Sequence, residues 1–193
     1  IGLVKTANIK SRKNARPGDL ICVTDNLGES ALGLKIILEK LIRDADALEL
    51  VRRHHRPTPN LNEGAFLSEF SGVHAMMDTS DGIALDLPRI ISESKCGARI
   101  DVEKIPRSAL LTRVCKNIGF DSHELVLTGG EDYKLLVTVD PAEIDLVQSE
   151  FERKFHRPLS VIGEIFEAPN KVQFALNGSP YPPENLGFQH FQS

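Results

Sequence analysis

Two short stretches concentrate the groups in this chain that could do chemistry. Met77-Asp78-Thr79-Ser80-Asp81-Gly82 sets two carboxylates and a hydroxyl together, after an apolar run and before an amphipathic one. Leu127-Thr128-Gly129-Gly130-Glu131-Asp132-Tyr133 sets two glycines and two carboxylates before another apolar run. Carboxylates gathered at strand ends beside exposed backbone N–H groups can hold Mg²⁺ and phosphate oxygens together. Each stretch also has a plainer reading. Ser80 or Asp81 can cap a helix without any ligand, and Gly129-Gly130 can be a turn that leads into a strand. Taken as a pair, in this order, they point to phosphoryl transfer.

Other chemistry-bearing residues read more simply. Gly28-Glu29-Ser30-Ala31-Leu32-Gly33 follows a strand and opens a helix, but no Gly-Lys-Ser/Thr ends it, so it is not a Walker loop. A helix start with Gly33 kept small for close packing is the preferred reading. His54 and His55 stand among arginines and read as a solvated charged face, since adjacent side chains on a regular element point apart. His74, His123, His156 and His190 lack metal-ligand spacing. Cys22, Cys96 and Cys115 are odd in number, widely spaced and free of any CxxC, which fits reduced, buried thiols. No G-x-S-x-G element or Cys/His pairing supports a covalent mechanism.

The elements that would position these groups alternate. Strands are expected at 19–24, 73–77, 98–102, 133–139, 160–166 and 172–176, where aliphatic runs meet turn residues. Helical spacing of apolar residues covers 28–42 and 81–94, the latter with an awkward Pro88 that should kink it. Further helices are expected at 60–70, with Asn60 and Glu63 as a capping pair, at 108–118 capped by Ser108, and at 141–155. Residues 44–59 are charged and read as a connection with one helical turn. Several strands join as hairpins or through long excursions, so the fold class is α+β, a mixed β-sheet with helices packed on one face.

At 193 residues the chain can bury a sizeable core. Its net charge of −4 gives no reason to expect nucleic acid as a partner, and no apolar run is long enough for a membrane helix. A cytoplasmic protein is the expectation. Ile1-Gly2-Leu3-Val4 reads as the tail of a strand. Residues 1–18 are therefore expected to be the tail and linker of an N-terminal domain lying outside this chain, and 19–193 a C-terminal α+β domain.

In sequence order the motifs resemble the thiamine-monophosphate kinase family, of the superfamily shared with aminoimidazole ribonucleotide synthetase. The resemblance is carried by Arg16-Pro17-Gly18-Asp19, Val23-Thr24, Ser30-Ala31-Leu32-Gly33-Leu34 and Arg56-Pro57-Thr58-Pro59. It continues through Asp78-Thr79-Ser80-Asp81-Gly82, Ala98-Arg99-Ile100-Asp101, Gly129-Gly130-Glu131-Asp132-Tyr133 and Gly187-Phe188-Gln189-His190-Phe191. Asp25 departs from the pattern, where the family usually has Gly. The resemblance implies Mg²⁺ ligands at Asp78 and Asp81, ATP contacts at Arg12 and Ser80, and contacts to the thiamine substrate at Glu131 and Phe188. It implies direct transfer of the terminal phosphoryl group of ATP to thiamine phosphate, giving thiamine diphosphate, with no protein nucleophile or general base. It further implies that the chain is the C-terminal part of a homodimeric enzyme whose N-terminal domain supplies more metal-binding acids and part of the ATP site. Such a part is expected to be inactive alone. Two alternatives stay open: a related ATP-dependent synthetase domain of the superfamily, and a non-catalytic small-molecule-binding domain. A hydrogenase maturation protein is disfavoured, because the chain ends Gln192-Ser193 rather than in cysteine.

Overall fold

Short aliphatic runs build one seven-stranded sheet in the computed structural model, which describes residues 5–42 and 44–183. The strands are β1 (Leu20–Val23), β2 (Val73–Asp78), β3 (Gly97–Asp101), β4 (Leu135–Val139), β5 (Ser160–Phe166), β6 (Val172–Leu176) and β7 (Ser179–Pro180). Their spatial order is β2-β4-β1-β5-β3-β6-β7. Every pairing is antiparallel except β3 with β6, so the sheet is mixed, as expected.

The helices are α1 (Glu29–Leu38), α2 (Ala45–His55), α3 (Leu61–Leu67), α4 (Ile83–Ser94), α5 (Ala109–Ile118), α6 (Ser122–Thr128) and α7 (Ile144–Phe155). Strand residues alternate between two apolar layers, as a pleated sheet requires. Ile21 and Val23 face the larger core, which holds Ile36 of α1, Leu87 of α4 and Leu111 of α5. Cys22 between them faces a smaller cluster with Leu67 of α3 and Phe151 of α7. The main helical layer thus lies on one face, and α3 and α7 cover the β1–β4–β2 part of the other. Burial of Cys22 pushes its thiol up to about 12, and all three cysteines are buried and free.

Several local expectations change. The charged segment after Asp44 is a full helix, α2. Asp44 caps it by accepting from the Ala47 amide at 2.8 Å, and Ala47 and Leu50 turn a narrow apolar stripe onto α1. Gly33 allows that approach, for a Cβ there would stand 2.3 Å from the Leu50 carbonyl oxygen. Asn60 begins α3 without a side-chain cap. Its carboxamide oxygen accepts from the Thr24 hydroxyl at 2.8 Å instead, while Glu63 pairs with Arg157, so no capping box forms. Ser108 caps α5 as expected, accepting from the Leu111 amide. Residues 141–143 form a turn before α7, and 124–127 lie within α6. α4 continues through Pro88 to Ser94. The strand expected at Ile1–Val4 lies outside the described residues.

Candidate functional site

The antiparallel register sets Asp78, the last residue of β2, opposite Leu135, the first of β4. The loop after β2 and the loop before β4 therefore leave the sheet at the same place. Main-chain hydrogen bonds join them. The Thr79 amide donates to the Lys134 carbonyl at 2.7 Å, the Tyr133 amide to the Thr79 carbonyl at 3.1 Å, and the Glu131 amide to the Ser80 carbonyl at 2.9 Å. Glycine makes this contact possible: a Cβ on Gly130 would lie 2.4 Å from the Ser80 oxygen. The second loop is tightly wound, with both Glu131 and Tyr133 at positive φ, 63° and 51°. Non-glycine residues seldom adopt that conformation, and such strain gathers at ligand sites.

The first loop is organised by a residue that sequence reasoning missed. Gly82, at φ 97°, precedes α4 and neither Ser80 nor Asp81 caps the helix. The fully buried Asp86, in the first turn of α4, accepts from the Ser80 and Asp81 amides, each at 2.9 Å. Burial is the main influence on its carboxyl and raises it above the ordinary aspartate value, opposed by those amides and by Arg89. Arg89 bridges Asp86 and Asp81. An acidic residue in the first turn after a glycine was the one signal for Asp86.

The second loop is tied to the start of α1. Asp132 is buried, and its carboxylate accepts from the Gly28 amide at 2.6 Å and the Ser30 amide at 3.0 Å. These are unpaired N–H groups at a helix N-terminus. Burial still dominates, and the Asp132 carboxyl is pushed up to about 6. The Ser30 hydroxyl lies 2.9 Å from His54 Nδ1. His54 is thus half-buried against α1, not on the solvated face read from its arginine-rich surroundings.

Glu131 stands on the rim of a cavity of about 350 Å³, shared with Asp25, Arg56, Asn62, Lys134 and Arg157. Asp25 takes part in its wall, 3.6 Å from Arg157 and 3.8 Å from Lys134, so the position that departs from the family pattern carries a charge partnered locally.

The structure therefore brings together the main chains of the loops that carry Asp78, Ser80, Asp81 and Glu131, while the cavity that Glu131 lines has none of the other three in its wall. Asp78 is exposed at the strand end, and Asp81 and Ser80 are half-buried. Arg12 sits elsewhere. It pairs with Glu93 at 2.6 Å, in the last turn of α4, whereas Ser80 and Asp81 precede the first. A helix of this length separates its two ends by roughly 15 Å or more. Phe188 lies outside the described residues. Among the described residues no group of three or more His, Cys, Asp or Glu side chains is gathered as a ready metal cage, and no helix is long and apolar enough to cross a membrane.

Comparison with known proteins places this arrangement. The thiamine-monophosphate kinase of Buchnera aphidicola subsp. Schizaphis graminum is 34% identical over 193 residues, covering 98% of this chain and 58% of that protein. The thiamine-monophosphate kinase structure from Stenotrophomonas maltophilia K279a is 29% identical with a TM-score of 0.80, over 92% of this chain and 56% of that one. The complex of AaThiL with AMPPCP and TMP is also 29% identical, with a TM-score of 0.76, over 94% of this chain and 54% of that one. The chain thus spans little more than half the length of the relatives it matches. The family described as AIR synthase related protein, C-terminal domain, matches residues 16–174. The chain belongs to the AIR synthase related proteins, of which it carries the C-terminal domain.

Proposed function

We propose that this chain is the C-terminal part of an ATP-dependent kinase that transfers a phosphoryl group to thiamine phosphate, giving thiamine diphosphate. One observation carries the reading: main-chain hydrogen bonds hold the Asp78–Asp81 loop against the Glu131 loop, in a chain similar to thiamine-monophosphate kinases along 98% of its length. The AaThiL structure, with AMPPCP and TMP bound together, supports a site for two ligands.

Direct phosphoryl transfer asks for alignment and charge neutralisation more than for a protein nucleophile. Each part of this site has a task of that kind. Asp78 and Asp81 would hold Mg²⁺. They fit it as part of a ligand set, because Mg²⁺ is usually held by one or two carboxylates with substrate phosphates rather than by an all-protein cage. Asp78 is exposed and Asp81 is held on one side by Arg89, which orients it. When bound, the ion would neutralise charge on the phosphate oxygens. Ser80 contacts the nucleotide from the same loop. Glu131 accepts hydrogen bonds from the aminopyrimidine of the acceptor, and the resemblance assigns Phe188, outside the described residues, to the same substrate. An anionic acceptor phosphate needs little deprotonation near neutral pH, so no general base is assigned.

Arg12 reaches ATP when a further domain completes the site. The N-terminal domain of the same chain supplies the remaining acids and most of a homodimer interface, and the whole enzyme works in the cytoplasm. Residues 1–18 are the link to that domain and 19–193 the domain itself. The chain spans 58% of a relative that it matches along 98% of its own length, which supports a further part of the whole protein beyond this chain.

Two reactions test the reading. The full-length enzyme with ATP, Mg²⁺ and thiamine phosphate should form thiamine diphosphate at an ordinary kinase rate, on the order of 1–100 s⁻¹. The 193-residue chain alone should form none. Absence of product from the full-length enzyme refutes the kinase assignment, and full turnover by the chain alone refutes the need for a further domain.

A further inference from the structure

Glu131 is more than half exposed, at 57% of its side chain. A carboxylate on a long, exposed side chain must be held if it is to recognise a ligand with precision. Its backbone is fixed by the bond to Ser80, but the side chain needs a partner of its own. Arg53 is engaged with Glu29 and Glu49, and Arg52 with Glu49. Among the described residues, His54 is the one basic side chain within 4 Å of the Glu131 carboxylate, with Nδ1 3.8 Å from Oε2.

His54 is itself held. Its side chain is only 15% exposed, and Nδ1 is 2.9 Å from the Ser30 hydroxyl. The Ser30 amide donates to Asp132, the residue after Glu131. Glu131, Asp132, Ser30 and His54 thereby close a circuit. The loop is fastened to α1 through Asp132, and α1 is fastened to α2 through Ser30 and His54. The imidazole then returns to the loop at the Glu131 carboxylate. At 3.8 Å the last contact is longer than a hydrogen bond, so the imidazole flanks the carboxylate closely and leaves its oxygens open to a ligand. The His55 ring stands 5.7 Å from the imidazole, and nearby along the same two helices Glu29 and Arg53 pair with each other.

We propose that His54 is a positioning residue for the acceptor: it holds the Glu131 carboxylate in the orientation that accepts the amino group of the thiamine moiety. The proposal rests on the reading of Glu131 as an acceptor contact. A histidine with no such task would serve only to join α1 to α2, and its loss would weaken the fold without choosing between substrates.

The experiment uses the full-length enzyme with His54→Ala, His54→Gln, Glu131→Gln and the His54→Ala/Glu131→Gln double variant. KM and kcat are measured with thiamine phosphate and ATP each varied, alongside melting temperatures. His54→Ala should raise the KM for thiamine phosphate about fivefold, less than the loss of a full hydrogen bond to a charged group, and leave the KM for ATP within about twofold. His54→Gln, which keeps a polar side chain of similar reach beside Ser30 and Glu131, should recover most of that loss. In the Glu131→Gln background His54→Ala should add nothing further, because two residues acting through one contact are not additive. Equal losses for both substrates, a full additional loss in the double variant, or an unchanged KM for thiamine phosphate in His54→Ala would each overturn the proposal. If Glu131→Gln alone leaves the thiamine phosphate KM unchanged, the acceptor reading of Glu131 fails and takes this proposal with it. A silent His54→Ala beside a damaged Glu131→Gln overturns the positioning role alone.

Discussion

The Glu131 amide donates to the Ser80 carbonyl oxygen at 2.9 Å, joining two acidic loops that are 51 residues apart in the chain. Their spacing is set by the register of β2 against β4, and the joint tolerates very little extra volume.

Gly130→Ala tests that joint directly. The new Cβ would stand 2.4 Å from the Ser80 oxygen and 3.1 Å from the Asp81 Cα, so the loops must part. Overpacking of this kind costs about 1–3 kcal/mol, and misplacing a reacting group by roughly 1 Å can cost about a hundredfold in rate. Denaturant melts and kcat/KM of the full-length variant should both fall, the rate more than the stability. A variant with wild-type kinetics would show that the close approach is not needed.

Asp86→Ala removes the acceptor for the Ser80 and Asp81 amides and one partner of Arg89. Leaving two half-buried donors unpaired costs up to about 1–3 kcal/mol each, less where water can reach them. We expect a lowered melting temperature and, in the full-length enzyme, a higher Mg²⁺ concentration for half-maximal activity. An unchanged Mg²⁺ dependence would confine Asp86 to the fold.

Asp78→Asn and Asp81→Asn keep side-chain size but remove an anionic oxygen. In the full-length enzyme each should depress activity far more than stability, and raised Mg²⁺ should partly restore it. Early melting of both, or full activity at unchanged Mg²⁺, would make these acids structural.

Asp132 gives a prediction in pH. Its carboxyl is pushed from 3.8 up to about 6 by burial, so ionising it opposes folding. The stability it contributes is fully present below the unfolded value, near 3.8, and is lost as pH rises through about 6. The shift corresponds to about 3 kcal/mol. Asn cannot ionise, so wild type should lose most of that amount, about 2 kcal/mol, relative to Asp132→Asn between about pH 4 and pH 7. Urea unfolding of both proteins across this range measures it, and a flat difference would refute it.

Gly33→Ala should destabilise without any substrate preference, since its Cβ would press on the Leu50 carbonyl at 2.3 Å and separate α1 from α2. The expected loss is about 1–3 kcal/mol. Thermal melts of the single variant decide it, and a neutral result would mean that the helix pair can slide.

The strands were legible because their signal is local. β5 and β6 fall on the residues that the aliphatic runs at 160–166 and 172–176 mark. α2 was hidden because only a narrow stripe of it, Ala47 and Leu50, is buried, among charges that look like a loop. The two acid-bearing loops could be read from their spacing, yet what holds them could not. Asp86 reaches back over Gly82 to amides five and six residues earlier, and His54 meets Glu131 only because α2 lies on α1. Neither relation has a period in sequence. The Asn60–Glu63 pair shows the converse, a sound local pattern whose side chains were drawn off by Thr24 and Arg157.

The joint between the two acidic loops consists mainly of peptide groups, closed by glycines. Peptide groups are the same at every residue, so the joint is blind to which side chains the loops display. Exchanging an acid, a hydroxyl or an amide at Asp78, Ser80 or Glu131 would alter what the loops recognise while their separation stayed as it is. The fold keeps its geometry and its chemistry in different atoms, which lets a lineage built on it change ligands without having to build the site again.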